Sequence, residues 1–299
     1  MRDTFSDCHP AVNFLYFALV LACSMTLMHP ACLLISLAGA CCYVTRLCGL
    51  RELGRSARWL VPMALLAALV NPAFVHQGVT ILTYLPSGNP LTLESILYGL
   101  AAGCMLASVI LWFVCVMEVV TSDKIVYLFG CLIPALSLLL SMTLRFVPRF
   151  TRRLRTVAQA QRYMGRDTRN GSVLQRVREA LRVFSIVVTW SLESGIITAD
   201  SMRCRGYGLP GRTSFSLYRF DRRDGAVLVW LVFCGVYLLG GGLAVGLRFR
   251  YYPMLAAGVI SPLTVSFFAV YALLCLTPVL LYAAEARAYT IRKGGRGDE

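Results

Sequence analysis

The chain has 299 residues, 58% of them hydrophobic, and carries 29 basic against 15 acidic side chains for a formal net charge of +14. Long, mostly apolar runs at a mean hydropathy of +0.67 exclude a soluble globular domain and place the chain in the membrane class. The charge is arginine: Lys124 and Lys293 are the only lysines.

Met1 to Pro10 carries Arg2, Asp3 and Asp7 and lacks the basic start of a cleaved signal peptide, so the first apolar run, Asn13 to Met28, reads as a retained span. A second run from Pro30 to Val44 follows, with Pro30 placed to open a helix. Arg46, Arg51, Arg55 and Arg58 against a lone Glu52 mark a cytoplasmic loop under the positive-inside rule. Trp59 to Val70 is apolar and is expected to stop at Asn71-Pro72. Val75 to Tyr84 has strand-like, β-branched composition, and Pro86 to Pro90 is a turn.

Ile96 to Val120 is a long span with Glu118 near its end, and Ile125 to Met142 is apolar with Pro134 inside it. An even number of crossings must separate the arginine loop from the arginine-rich region beyond Arg145, yet three candidates lie between. Either Trp59–Tyr84 goes in and out as a broken helix, or the residues around Ile125 to Gly130 lie along the interface.

Arg145 to Asp224 holds 17 arginines and six acids, most of the excess charge. Two helical patterns carry it. In the first, Phe146, Phe150, Leu154, Val157 and Gln161 share a face, with Arg145, Arg149, Arg152, Arg153 and Arg155 mostly off it. In the second, from Ser172, Leu174, Val177, Leu181, Phe184 and Val188 recur at steps of three and four. Each runs into a glycine, Gly165 or Gly206, suited to a left-handed C-terminal turn, with Arg162 and Arg205 at the negative end of the helix dipole. Two such cationic tips make a surface suited to something acidic. Glu193 in the second helix is expected to pair with a neighbouring arginine. Ala226 to Gly246 and Pro253 to Tyr282 are two further spans. Arg248 and Arg250 between them fall outside against the charge rule, and a basic tail runs through Arg287, Arg292, Lys293 and Arg296.

The 12 cysteines form no C-x-x-C pair and sit mostly in apolar runs, where a thiol behaves as a small hydrophobe. His9, His29 and His76 are scattered. The residues therefore point to no metal, no cofactor and no catalytic group. An intramembrane enzyme would need paired carboxylates or a metal cluster on facing spans. A membrane-anchored binder of nucleic acid or anionic lipid would account for the charge, but a nucleic-acid binder should also show lysine and stacking aromatics.

The two arginine helices resemble the transmembrane T component (EcfT/CbiQ group) of energy-coupling-factor (ECF) transporters, whose two cytoplasmic coupling helices each end in Ala-Arg-Gly. Cys204-Arg205-Gly206 matches with Cys for Ala, and Met202 and Tyr207-Gly208 fit the surrounding pattern. Leu144-Arg-Phe-Val-Pro148 resembles the start of the family's first coupling helix. At the first tip, Ala160-Gln161 is followed by Arg162-Tyr163-Met164-Gly165, so Met164 stands where the family has arginine and Arg162 or Arg166 would supply the charge. Asn71-Pro-Ala-Phe74, Gly88-Asn-Pro-Leu-Thr92 and Asp123-Lys124 extend the resemblance over roughly residues 25 to 210. It implies an all-α membrane protein with about five to six transmembrane helices and two long amphipathic cytoplasmic coupling helices. Its divisions are 1–143, 144–224 and 225–299: N-terminal spans, coupling region, and a final span pair with a basic tail. It further implies a prokaryotic plasma-membrane location and a non-catalytic subunit. That subunit would pass the motion of two ABC-type ATPases to a separate substrate-binding S component, for vitamin or metal-ion uptake.

Overall fold

His-Pro-Ala occurs twice near the N-terminus, and each copy starts a helix in the same way. Proline occupies the first turn, where its missing N–H costs nothing, and the histidine Nδ1 accepts from the N–H of the alanine, Ala11 at 3.3 Å and Ala31 at 3.2 Å. These helices are α1 (Pro10–Thr26) and α2 (Pro30–Leu47). The structure is a computed structural model and describes residues 5–75, 78–84, 90–166, 172–207, 209, 218–244, 249, 251–252 and 261–294. The remaining elements are α3 (Leu50–Phe74), β1 (Ile81–Tyr84), β2 (Pro90–Thr92), α4 (Leu93–Val119), α5 (Ser122–Leu132), α6 (Pro134–Tyr163), α7 (Val173–Cys204), α8 (Arg222–Ala244) and α9 (Pro262–Gly294). Among the described residues six helices are long and apolar enough to cross a membrane: α2, α3, α4, α7, α8 and α9; α1, with 17 residues, is shorter. This is an all-α membrane protein with one small antiparallel hairpin, in which Ile81 pairs with Thr92 and Tyr84 with Pro90. Gly208, the turn residues Pro86 to Asn89, His76, Arg248, Arg250 and Arg296 lie outside the described residues.

Two expectations are corrected here. The apolar run after Arg58 does not stop at Asn71-Pro72, because α3 continues through Pro62 and Pro72 to Phe74. Pro72 has no N–H for the carbonyl four residues back, that of Ala68. This carbonyl lies against Gly99 of α4, so close that a Cβ there would come within 2.5 Å of it, and Ala64 meets Gly103 in the same way at 2.6 Å. A small-xxx-small ridge on α4 thus presses onto backbone carbonyls of α3, the most extensive helix pair in the fold. Asn71 completes the end by donating to the Ser95 carbonyl at 2.9 Å, and the Ser95 hydroxyl donates to the Val75 carbonyl at 2.6 Å.

The second correction is the candidate span Ile125–Met142. The residue before a proline is pushed out of the helical region, and Ile133 sits at φ −137°, ψ 93°. The run therefore splits into α5 and the first turns of α6. At 11 residues α5 is about 16 Å long, too short for a hydrocarbon core of roughly 30 Å. Among the described residues, two span-length helices, α3 and α4, then lie between the arginine-rich loop and α6. Leu144 to Pro148 lies ten residues inside α6 rather than at its start, with Pro148 accommodated in the helix.

The chain divides into two units, 1–124 with 218–299, and 125–217. The first packs its core around the fully buried rings of Phe5, Tyr16, Tyr43, Trp112 and Tyr271. A polar seam ties four of its helices together. Ser24 and Ser36 hydroxyls meet at 2.9 Å, Trp112 donates to Ser36 at 3.1 Å, Tyr271 meets Ser24 at 3.2 Å, and Tyr16 donates to the Cys275 carbonyl at 3.2 Å. Away from water each of these groups needs a partner, so the seam fixes which faces of α1, α2, α4 and α9 meet.

Candidate functional site

The second unit holds the helix pair α6 and α7 and most of α5. Ser172 caps α7 in a reciprocal capping box: its hydroxyl accepts from the Gln175 N–H at 3.4 Å, and the Gln175 side chain accepts from the Ser172 N–H at 3.1 Å. Along the pair, Arg149 and Arg153 lie over the ring of Trp190 at 5.7 and 3.5 Å, so two of the five arginines assigned by sequence to the outer face hold α6 to α7. No sequence signal singled out Trp190. Such cation–π contacts contribute roughly 0.5–1 kcal/mol each at exposed sites. Trp190→Leu is therefore expected to speed amide exchange over Arg149–Val157 by about tenfold, read by mass spectrometry.

The inner face of α6 is the expected one only in part: Phe146 stacks on Phe150 at 5.7 Å and Gln161 is buried, whereas Leu154 is 43% exposed. Among the described residues the Gln161 side-chain oxygen has no hydrogen-bond partner. On α7 the recurring apolar set is exposed, from 38% at Val188 to 81% at Leu174, and the buried pair is Val183 and Val187. Among the described residues Glu193 has no arginine partner. It is exposed, and the ion pairs of α7 fall between Glu179 and Arg182 at 3.0 Å and between Asp200 and Arg203 at 3.9 Å.

The two tips have one geometry. At the end of α7 the Tyr207 N–H donates to the Met202 carbonyl at 3.1 Å and the Gly206 N–H to the Arg203 carbonyl at 3.0 Å, with Gly206 at φ 76°. At the end of α6 the Arg166 N–H donates to the Gln161 carbonyl at 3.0 Å and the Gly165 N–H to the Arg162 carbonyl at 3.0 Å, with Gly165 at φ 80°. Both are Schellman turns, and a side chain at either glycine would meet the left-handed penalty. The shared register aligns Met164 with Arg205, Arg162 with Arg203, and Arg166 with Tyr207.

Arg205 and Cys204 are exposed, and Met202 and Gly206 half-buried, so the guanidinium stands at the helix end with its donors toward solvent. At the other tip Ala160, Arg162, Gly165 and Arg166 are exposed, as are Tyr163 at 89% and Met164 at 67%. An arginine in this place offers a planar fork to a carboxylate or carbonyl; tyrosine and methionine in the matching place offer apolar area.

Elsewhere, Glu118 is exposed and lines an open cleft of about 560 Å³ with Cys48, Glu52, Ile110 and Met117. No group of three or more His, Cys, Asp or Glu among the described residues is arranged to hold a metal ion. The described cysteines are free thiols.

The chain is 30% identical over 105 residues to the energy-coupling factor transporter transmembrane protein EcfT of Bacillus selenitireducens, covering 34% of this chain and 39% of that one. It is 28% identical over 104 residues to EcfT of Streptococcus equi, with 34% and 39% covered. With EcfT of Exiguobacterium sibiricum it shares 30% identity over 110 residues, with 36% and 42% covered. The chain thus spans about two fifths of the length of the curated relatives it matches. No family model matches it.

Proposed function

We propose, from this similarity to the transmembrane component of ECF transporters, that the chain is the coupling subunit of an ATP-driven importer. In this reading the arginine helices α6 and α7 lie at the cytoplasmic face of a prokaryotic plasma membrane, and each tip docks on one of two ABC-type ATPases. Their motion passes to an S component that binds the substrate, a vitamin or metal ion, and the subunit itself performs no chemistry. The divisions 1–143, 144–224 and 225–299 belong to the same proposal. The observation that carries it is the pair of superposable helix ends, Met164-Gly165-Arg166 and Arg205-Gly206-Tyr207, which gives one chain two docking points of one geometry. The exposed apolar face of α7 supports it too, being a surface free to receive lipid or the S component.

The test is affinity purification of the chain in detergent from its own cells. Two ATPase subunits should co-purify, and the isolated chain should hydrolyse no ATP, since it has no G-x-x-x-x-G-K-[ST] loop. Recovery without any nucleotide-binding partner, or hydrolysis by the chain alone, would overturn the assignment.

A further inference from the structure

The chain passes from the membrane unit to the arginine helices after Lys124 and returns at Tyr218. Both crossing points are held by one short stretch at the N-terminus. Lys124 is buried; its ammonium donates to the Ser6 carbonyl and, at 2.8 Å, to the Val119 carbonyl that ends α4. Asn13, fully buried, accepts from Lys124 at 3.0 Å and donates to the Phe5 carbonyl at 2.9 Å in the amide orientation that satisfies both ends. On the returning side Asp224, also buried, accepts from the His9 N–H at 3.3 Å and the Asp221 N–H at 3.2 Å. Arg223 donates to the Cys8 sulfur at 3.7 Å, and the Phe220 ring meets His9 edge-on at 5.3 Å.

The stretch is itself anchored in the core, because the Phe5 ring packs on Tyr16, Phe17 and Tyr43 with centroids 4.9, 6.3 and 6.4 Å away. Burial first, then the Asp123 carboxylate, pushes the Tyr218 phenol above its ordinary range. A buried ammonium and a buried carboxylate are costly; each has one local backbone partner, and Phe5–Asn13 supplies others, so part of the offset is lost when the stretch leaves.

We propose that Phe5–Asn13 is a clasp joining the two crossings into one rigid joint, with Lys124 and Asp224 as positioning residues that carry motion of the arginine helices into the membrane helices. The transmitting role rests on the coupling function proposed above; the clasp does not.

Cys8 reports on the clasp directly. It is 1% exposed, and burial pushes its thiol up to about 11, so it should resist alkylation while the clasp is closed. In the isolated chain in lipid nanodiscs, Lys124→Met and Asp224→Asn should each speed N-ethylmaleimide labelling of Cys8 at least tenfold, read on its own peptide. Ser122→Ala, at an exposed position of the same helix, should not. Asp224→Asn keeps the shape of the side chain and serves should Lys124→Met fail to fold; because the Asp224 carboxylate itself raises the Cys8 thiol, its labelling is read together with amide exchange over residues 5–13, which must also quicken. Labelling at the wild-type rate in both variants overturns the clasp.

In the complex with ATPases, Mg-ATP should change amide exchange over residues 5–13 and 116–124 in the wild type. In the variants that change should be confined to α6 and α7. A wild-type response in the variants overturns the transmitting role. Failure of the wild type to hold ATPases overturns the coupling reading and the transmission with it, while Cys8 labelling still decides the clasp.

Discussion

Arg205→Ala is expected to weaken association with the ATPase subunits by more than tenfold, whereas Arg162→Ala and Arg166→Ala should each do less. Arg205 is the C-cap of α7, exposed, and aimed by the Gly206 turn. Truncating one member of a buried charged contact costs about 2–5 kcal/mol, and about 1.4 kcal/mol already makes a factor of ten. The structurally equivalent residue at the other tip is Met164, so docking there rests on Met164 and Tyr163 as apolar area with arginine on either side. Met164→Arg should therefore be neutral or strengthen binding.

Gly206→Val should mimic Arg205→Ala without removing charge. A residue with a Cβ pays roughly 1–2 kcal/mol in the left-handed conformation, and a β-branched one more, so the turn that aims the arginine opens. The measurement is pull-down of the ATPases by each variant in detergent, with membrane insertion checked separately. Association of Arg205→Ala at the wild-type level would remove this residue from the coupling surface.

The second large effect lies in the membrane unit. Gly99→Val and Gly103→Leu should each abolish recovery of folded, monodisperse protein, because their side chains would run into the backbone carbonyls of Ala68 and Ala64 rather than into movable side chains. Overpacking a well-fitted core costs about 1–3 kcal/mol, and more where backbone must shift. Gly54→Ala and Gly195→Ala are the controls. Both glycines have open space around them and helical neighbours, so alanine there should be neutral or add up to about 1 kcal/mol. Size-exclusion profiles and thermal unfolding in detergent distinguish the two sets. Normal profiles for Gly99→Val and Gly103→Leu would mean that α3 and α4 do not approach as closely as these carbonyls imply.

Local chemistry was legible in the chain itself. The apolar runs, the arginine helices, the Ser172 start and the two glycine stops follow from periodicity, capping and the left-handed tolerance of glycine, each settled within a few residues. The resemblance carried by Arg205-Gly206 was legible for the same reason, since a Schellman turn is written in four residues. What needed the fold were the features decided by partners far along the chain. Pro72 reads as a helix stop, yet α3 continues through it, with the carbonyl left without a backbone donor packed on Gly99 of α4. Glu193 among arginines reads as an ion pair, but it is exposed and, among the described residues, pairs with no arginine, while Arg149 and Arg153 lie over Trp190. Lys124 figures in the sequence only within Asp123-Lys124, and Asp224 only as one of six acids in the arginine-rich region; nothing in the pattern marks either as buried. Only packing could bury them against Phe5–Asn13, more than a hundred residues from one and two hundred from the other, because sequence pattern reports a residue's neighbours along the chain and burial depends on those across it.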